Sequence, residues 1–423
     1  MPLKRVLIWA TAATSTAKGV MFSVSVLFFT TVAGISPATV GVGLTIAGAV
    51  GVVTAFASGR LCDRFGPRRV LIVAATAQGG ALAAYCLTRD AGTFVLVACV
   101  AVGAESVERT AHVALLARAF TGPARVGVRA WLRVVDNVSI AAGSGLAAVA
   151  LVVGSRSAYL AAVLAAAVLT LVALVPLRAL PVLVGGGGDR LAEGGRSPLG
   201  DRRYLTATAL HAVVSVQALL LTVGMPLWVT GHTAAPDVTV AVLLLLNTGL
   251  VSVLQVWSTR LVGDVPSAGR AVFHGTALLL AACLCYAAAG YPSGAGFAVA
   301  LLVAAVVAHS LGEIFSEAGG WELAFEWADP ANSGAYQGVS QAGVGIGLAV
   351  APVVVTSAAV GLGPPGWLLL GSMFLAAGAG TRALSTRRRV PQLALSAEER
   401  SARPDGEDNL AGHPAGLAYG ADH

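Results

Sequence analysis

A chain of 423 residues with 56% hydrophobic and only 11% charged side chains is too poor in charge for a soluble domain, where about a quarter is usual. With a mean hydropathy of +0.79, the composition points to a protein that crosses a membrane many times. The net charge of +6 sits between apolar runs rather than on one basic face, so no nucleic-acid partner is expected.

A membrane span needs about 20 apolar residues. The chain offers twelve such runs, over 6–31, 38–58, 70–88, 93–117, 130–154, 158–178, 204–229, 237–258, 270–290, 294–317, 335–358 and 365–382. The first run is too long for the apolar stretch of a signal peptide and lacks a small-residue cleavage site, so it reads as a retained span. Turn residues punctuate the gaps, as at Gly34-Ile35-Ser36-Pro37 and Tyr291-Pro292-Ser293-Gly294. A glycine-rich, charged stretch between spans six and seven divides the runs six and six. The expected layout is an N-terminal bundle over 1–178, a cytoplasmic linker over 179–203, a C-terminal bundle over 204–384 and a tail over 385–423. The tail has no apolar periodicity and is expected to lack order. Cys62, Cys86, Cys99, Cys283 and Cys285 lie in or beside apolar runs without metal or CxxC spacing, so neither a disulfide framework nor a metal site is expected.

Arginine sets the orientation. With the N-terminus inside, the inner segments collect nearly all the basic residues, while the outer loops keep only Arg89 and Arg156. By the positive-inside rule both termini face the cytoplasm.

The most informative loop is Gly59-Arg60-Leu61-Cys62-Asp63-Arg64-Phe65-Gly66-Pro67-Arg68-Arg69, between spans two and three. Gly66 allows a tight reversal and Pro67 suits the first turn of a helix. Asp63 cannot lie in lipid uncompensated, so it should meet an arginine or a helix N-terminus. A shorter echo, Ser258-Thr259-Arg260-Leu261-Val262-Gly263-Asp264, occurs 200 residues later in the equivalent loop. This pattern resembles the GxLaDrxGrkxxl signature of the major facilitator superfamily, carried here by Gly59, Leu61, Asp63, Arg64, Gly66, Arg68 and Arg69. The stretch from Gly312 to Gly338 is also similar to bacterial drug-efflux members.

The resemblance implies an all-α fold of twelve transmembrane helices in two pseudo-symmetric six-helix bundles. It also implies a motif aspartate that meets the inner end of span eleven and locks the outward-facing state. Spans one, four, seven and ten would line the cavity. Their polar residues are Lys18; Glu105, Glu108, Arg109 and His112; His211 and Gln217; and His309, Glu313 and Glu317. Ionisable groups at membrane depth are functional candidates by default. Arg109 and Glu313 are expected to approach each other or to find partners in their own halves, and Asp136 is expected to pair locally with Arg133. The chain departs from the family in span four, where Arg109 is followed by His112 and Val113 rather than the RxxQG pattern. In span five Gly143-Ser144-Gly145 lacks the proline of the antiporter signature.

The expected function is proton-coupled efflux of a small amphipathic compound by a monomer in the bacterial cell membrane, with no cofactor beyond the proton gradient. Glu313 leads as proton carrier, followed by Glu108 and Glu105. Uptake of a small anionic metabolite is the alternative. A membrane-embedded transferase is disfavoured, because Asp63, Asp189, Asp201, Asp264 and Asp329 are scattered rather than clustered for a metal.

Overall fold

The computed structural model describes residues 3–180, 196–291 and 294–386, so most of the expected linker and tail lie outside the described residues. Among the described residues, twelve helices are long and apolar enough to cross a membrane. They are α1 (Leu3–Val32), α2 (Pro37–Phe65), α3 (Pro67–Leu87), α4 (Ala91–Ala119), α5 (Ala124–Val153) and α6 (Arg156–Arg178). The second set is α7 (Arg202–His232), α8 (Val238–Leu261), α9 (Val265–Ala289), α10 (Ala295–Glu326), α11 (Pro330–Gly361) and α12 (Pro364–Thr386).

Local chemistry starts and stops them. Ser36 caps α2 by accepting the Thr39 amide at 3.2 Å, and Asp90 caps α4 by accepting the Thr93 amide at 2.9 Å. Gly66 adopts φ +81° between α2 and α3, a conformation that side chains resist, and Pro67 then opens α3. Two helices run well past their expected inner limits. The fifth begins near residue 124 rather than 130, and the tenth ends at Glu326 rather than near 317. Hydropathy windows exclude these turns because they carry Arg125 and Arg129 on one helix and Glu322 and Glu326 on the other.

Within the first six helices α1 packs on α5, and α4 on α2 and α3. Small residues set these distances: a Cβ on Gly19 would lie 2.1 Å from the Ile140 carbonyl oxygen, and one on Gly143 equally close to that of Thr16. Within the last six, α9 packs on α10 and α12, and α7 on α11 and α12. The two sets meet through α2 against α11 and α5 against α8, with α4 and α5 reaching α11 and α10.

One apolar core lies within α7–α12, around Trp228, Tyr286 and Trp367. Another lies within α1–α6, around Phe28, Phe29 and Phe94. A third, near the α2–α3 turn, draws Trp321 and Phe325 of α10 in among residues of α1, α3, α4 and α5. Large apolar side chains also point outward, with Phe22, Leu87 and Val152 each about four-fifths or more exposed. Such a surface suits hydrocarbon rather than water.

Candidate transport site

The site has two charged groups and a closure beneath them. In the first group, Lys18 of α1 meets Glu105 of α4 at 3.3 Å, each side chain about one-third exposed. Glu108, one turn along α4, is buried near Thr14, and its Oε2 has no partner among the described residues. Arg109 is exposed and, among the described residues, donates only to Ser106 Oγ, at 3.4 Å. Among the described residues no carboxylate lies within ion-pair distance of it. Asp136 accepts a hydrogen bond from Ser15 of α1, so it is tied to that helix and not to Arg133 as expected.

In the second group, Arg133 of α5 forms an ion pair with Glu313 of α10 at 3.3 Å. The expected approach of Arg109 to Glu313 is thus replaced by Arg133, four residues from Arg129 on the same helical face. Asn247 of α8 lies near Glu313, and its amide donates to Ser310 Oγ at 2.9 Å. Glu317 lies within electrostatic reach of Arg129, Arg133 and His211. His211 of α7 packs on Gly320 and borders a small cavity of about 30 Å³, room for water and little more.

Two expected cavity residues are placed otherwise. Gln217 is 2% exposed at a break in α7, and His309 is 1% exposed where α10 packs against its neighbours. His309 keeps the i, i+4 register of Glu313 and Glu317, so its burial comes from the packing around that end of α10 and not from helix rotation.

Beneath these groups the two sets of helices are fastened together. Asp63 accepts hydrogen bonds from the amides of Gly334 at 2.8 Å and Ala335 at 2.7 Å, capping the start of α11. Arg118 of α4 completes the junction, 2.5 Å from Asp63 and 3.4 Å from Ser333 Oγ. The arginine beside Asp63 therefore comes from α4 and not from the motif. Arg64 lies over the Phe65 ring at 5.1 Å, Arg68 donates to the Arg178 carbonyl at 2.6 Å, and Arg69 is exposed. Gly59 lets α2 touch α11, because a Cβ there would lie 2.4 Å from the Gly334 carbonyl oxygen.

A second fastening joins α5 and α10 at turns expected only to carry orientation charges. Arg125 pairs with Glu326 and stacks over Phe325 at 4.5 Å, and Arg129 lies over Trp321 at 4.7 Å. The i, i+4 spacing of Arg125 and Arg129 matches that of Trp321 and Phe325, which was the available signal.

The model of the Major Facilitator Superfamily matches residues 7–316. The chain belongs to this superfamily. Its members are transporters and not enzymes, which removes the transferase reading. No curated protein matches the sequence. Among solved structures the chain is similar to the human organic anion transporter MFSD10, at 14% identity over 90% of this chain and 98% of that one, with a TM-score of 0.65. A bacterial homologue of the iron transporter ferroportin, in an outward-facing state, gives 15% identity over 91% and 98%, with a TM-score of 0.69. The proton:xylose symporter XylE gives 13% identity over 89% and 94%, with a TM-score of 0.63. At such identities the likeness shows the fold alone, and the superfamily fold carries twelve spans in a membrane.

Proposed function

We propose that this superfamily member is a proton-coupled exporter of small amphipathic molecules. It would work as a monomer of two six-helix bundles in the bacterial cell membrane, with both termini cytoplasmic. The observation that carries the reading is the Arg133–Glu313 pair, because it joins α5 of the first six helices to α10 of the last six. An ionised carboxylate at membrane depth persists only while it has a partner. When the helices separate at this level Arg133 is withdrawn, and Glu313 then takes a proton. Proton loss restores the pair and draws the inner ends together, so the proton and the substrate alternate on one site. The arginine asymmetry supports the orientation, and the Asp63, Arg118 and Arg125 contacts support an inner face that is shut in this conformation. Export rests on the resemblance to efflux members between Gly312 and Gly338.

Arg109 favours a second reading. An exposed guanidinium with no acid in ion-pair reach among the described residues suits an anionic substrate, and uptake of a small organic anion would use it.

The test is transport in proteoliposomes under an imposed proton gradient, with panels of amphipathic cations, neutral compounds and anions. The expected result is gradient-driven movement lost in Glu313→Gln, with exchange of substrate across the membrane retained. Gradient-driven transport that persists in that variant overturns the reading.

A further inference from the structure

A long apolar recess lies on the flank of the first six helices. Helices α2 and α3 meet at their shared turn and diverge from it, each leaning on α4, which leaves a groove of about 730 Å³. Its floor is made by small residues, Ala74, Gly103 and Ala104, and its walls by Val50, Val73 and Val100. The one charged side chain among its lining residues is Arg69, at the end nearest the turn, beside Leu61 and Phe65. On α2 the lining runs from Val50 to Phe65, about 22 Å of helix. That length covers one leaflet of the hydrocarbon core, which is about 15 Å deep.

The arginines at this end are not used by the lock. Asp63 takes its guanidinium from Arg118, and Arg68 is spent on the Arg178 carbonyl. Among the described residues Arg69 and its neighbour Arg64 have no acid partner, and Arg64 lies over the Phe65 ring at the groove mouth. The arrangement is an apolar channel one leaflet long that ends under two uncompensated cations.

We infer that this groove seats an anionic phospholipid, its acyl chain between α2 and α3 against α4 and its headgroup phosphate on Arg69 with Arg64 beside it. Charge complementarity selects the occupant, since a zwitterionic lipid brings its own cation to the arginines. The turn that would hold the headgroup also carries Asp63, so an occupied groove restrains the segment that fastens α2 to α11.

The experiment uses the full chain in nanodiscs with phosphatidylglycerol or phosphatidylcholine bearing a photoreactive group midway along the acyl chain. The labelled residues are mapped by mass spectrometry. The expected result is phosphatidylglycerol label concentrated on the groove residues of α2, α3 and α4, several-fold above phosphatidylcholine. Arg69→Gln should bring the two lipids level, while Arg60→Gln, on the same turn of the chain but outside the groove, should not. Ala77→Trp, which fills the groove from an exposed position, should move the label elsewhere while the protein keeps its melting temperature. Label spread evenly around the helices, equal labelling by both lipids in the unmodified chain, or labelling unchanged by Ala77→Trp would each reduce the groove to ordinary boundary lipid and overturn the inference.

Discussion

Arg133 on α5 and Glu313 on α10 stand 3.3 Å apart where the first six helices meet the last six. Arg133 keeps 40% of its side chain accessible and Glu313 only 13%, so the pair is anchored from the α10 side and can part on the α5 side. For a partly exposed pair the mutual interaction is about 1 kcal/mol. Reversing both charges, in Arg133→Glu with Glu313→Arg, should recover most of the stability that either single reversal loses. A double-mutant cycle on thermal unfolding in detergent should give a coupling of about that size. A coupling near zero would mean that the two side chains share a site without holding the helices.

The α2–α11 contact makes a different demand. A Cβ on Gly59 would lie 2.4 Å from the Gly334 carbonyl oxygen, whereas one on Gly48, on the same helix, meets open space. Gly59→Ala must therefore part the two helices, and overpacking of this kind costs about 1–3 kcal/mol. Gly48→Ala should be neutral or mildly stabilising, since alanine is the better helix former. Melting temperatures of the two variants check this, and equal values would remove the argument that α2 and α11 touch backbone to backbone.

Acid should loosen the start of α9. Asp264 accepts from the Ser267 side chain and backbone, and these bonds hold its carboxyl below the ordinary 3.8. The Thr93 amide does the same to Asp90 at the start of α4. A carboxyl lowered by folding binds its proton more weakly in the folded chain than in the unfolded one. Its contribution is therefore complete above the unfolded value, about 3.9, and is lost as pH falls through the folded value. Asp264→Asn keeps an oxygen for the cap but does not titrate. Its stability should fall less steeply than that of the unmodified chain between about pH 5 and pH 3. Parallel curves would show that the cap contributes nothing to the acid response.

Much of this was legible in the sequence because the bilayer imposes a length and a hydropathy on every span. Twelve runs became twelve helices. What hydropathy misses lies at the helix ends beside the α2–α3 turn, where Arg125 and Arg129 stack on Phe325 and Trp321. Pair identities were harder to read. Spacing along one helix made Asp136 the obvious mate of Arg133, but rotation of the neighbours gave Asp136 to Ser15 and Arg133 to Glu313. The loop echo has also diverged in use. Asp63 caps a helix of the other set, while Asp264 closes a capping box with Ser267 on the helix that follows it.

That divergence gathers the contacts between the two sets of helices on one residue. Asp63 receives two amides of α11 and the Arg118 guanidinium, all within 2.8 Å. Asparagine at 63 keeps an acceptor for one amide but loses the charge that suits both the helix N-terminus and the arginine. A hydrogen bond to a charged group is worth about 1.5–3 kcal/mol, so Asp63→Asn should shift the balance away from the closed α2–α11 junction by about tenfold or more. Ser333 is 6% exposed beside this junction. In a background without the native cysteines, Ser333→Cys reports opening through its rate of alkylation by a membrane-impermeant reagent in everted vesicles. The rate should rise about tenfold when Asp63→Asn is added, whereas Arg68→Gln, whose side chain bonds only the Arg178 carbonyl, should leave it unchanged. An equal rise in both variants would make the loop a general stabiliser of this end of the helices and not a fastening centred on Asp63.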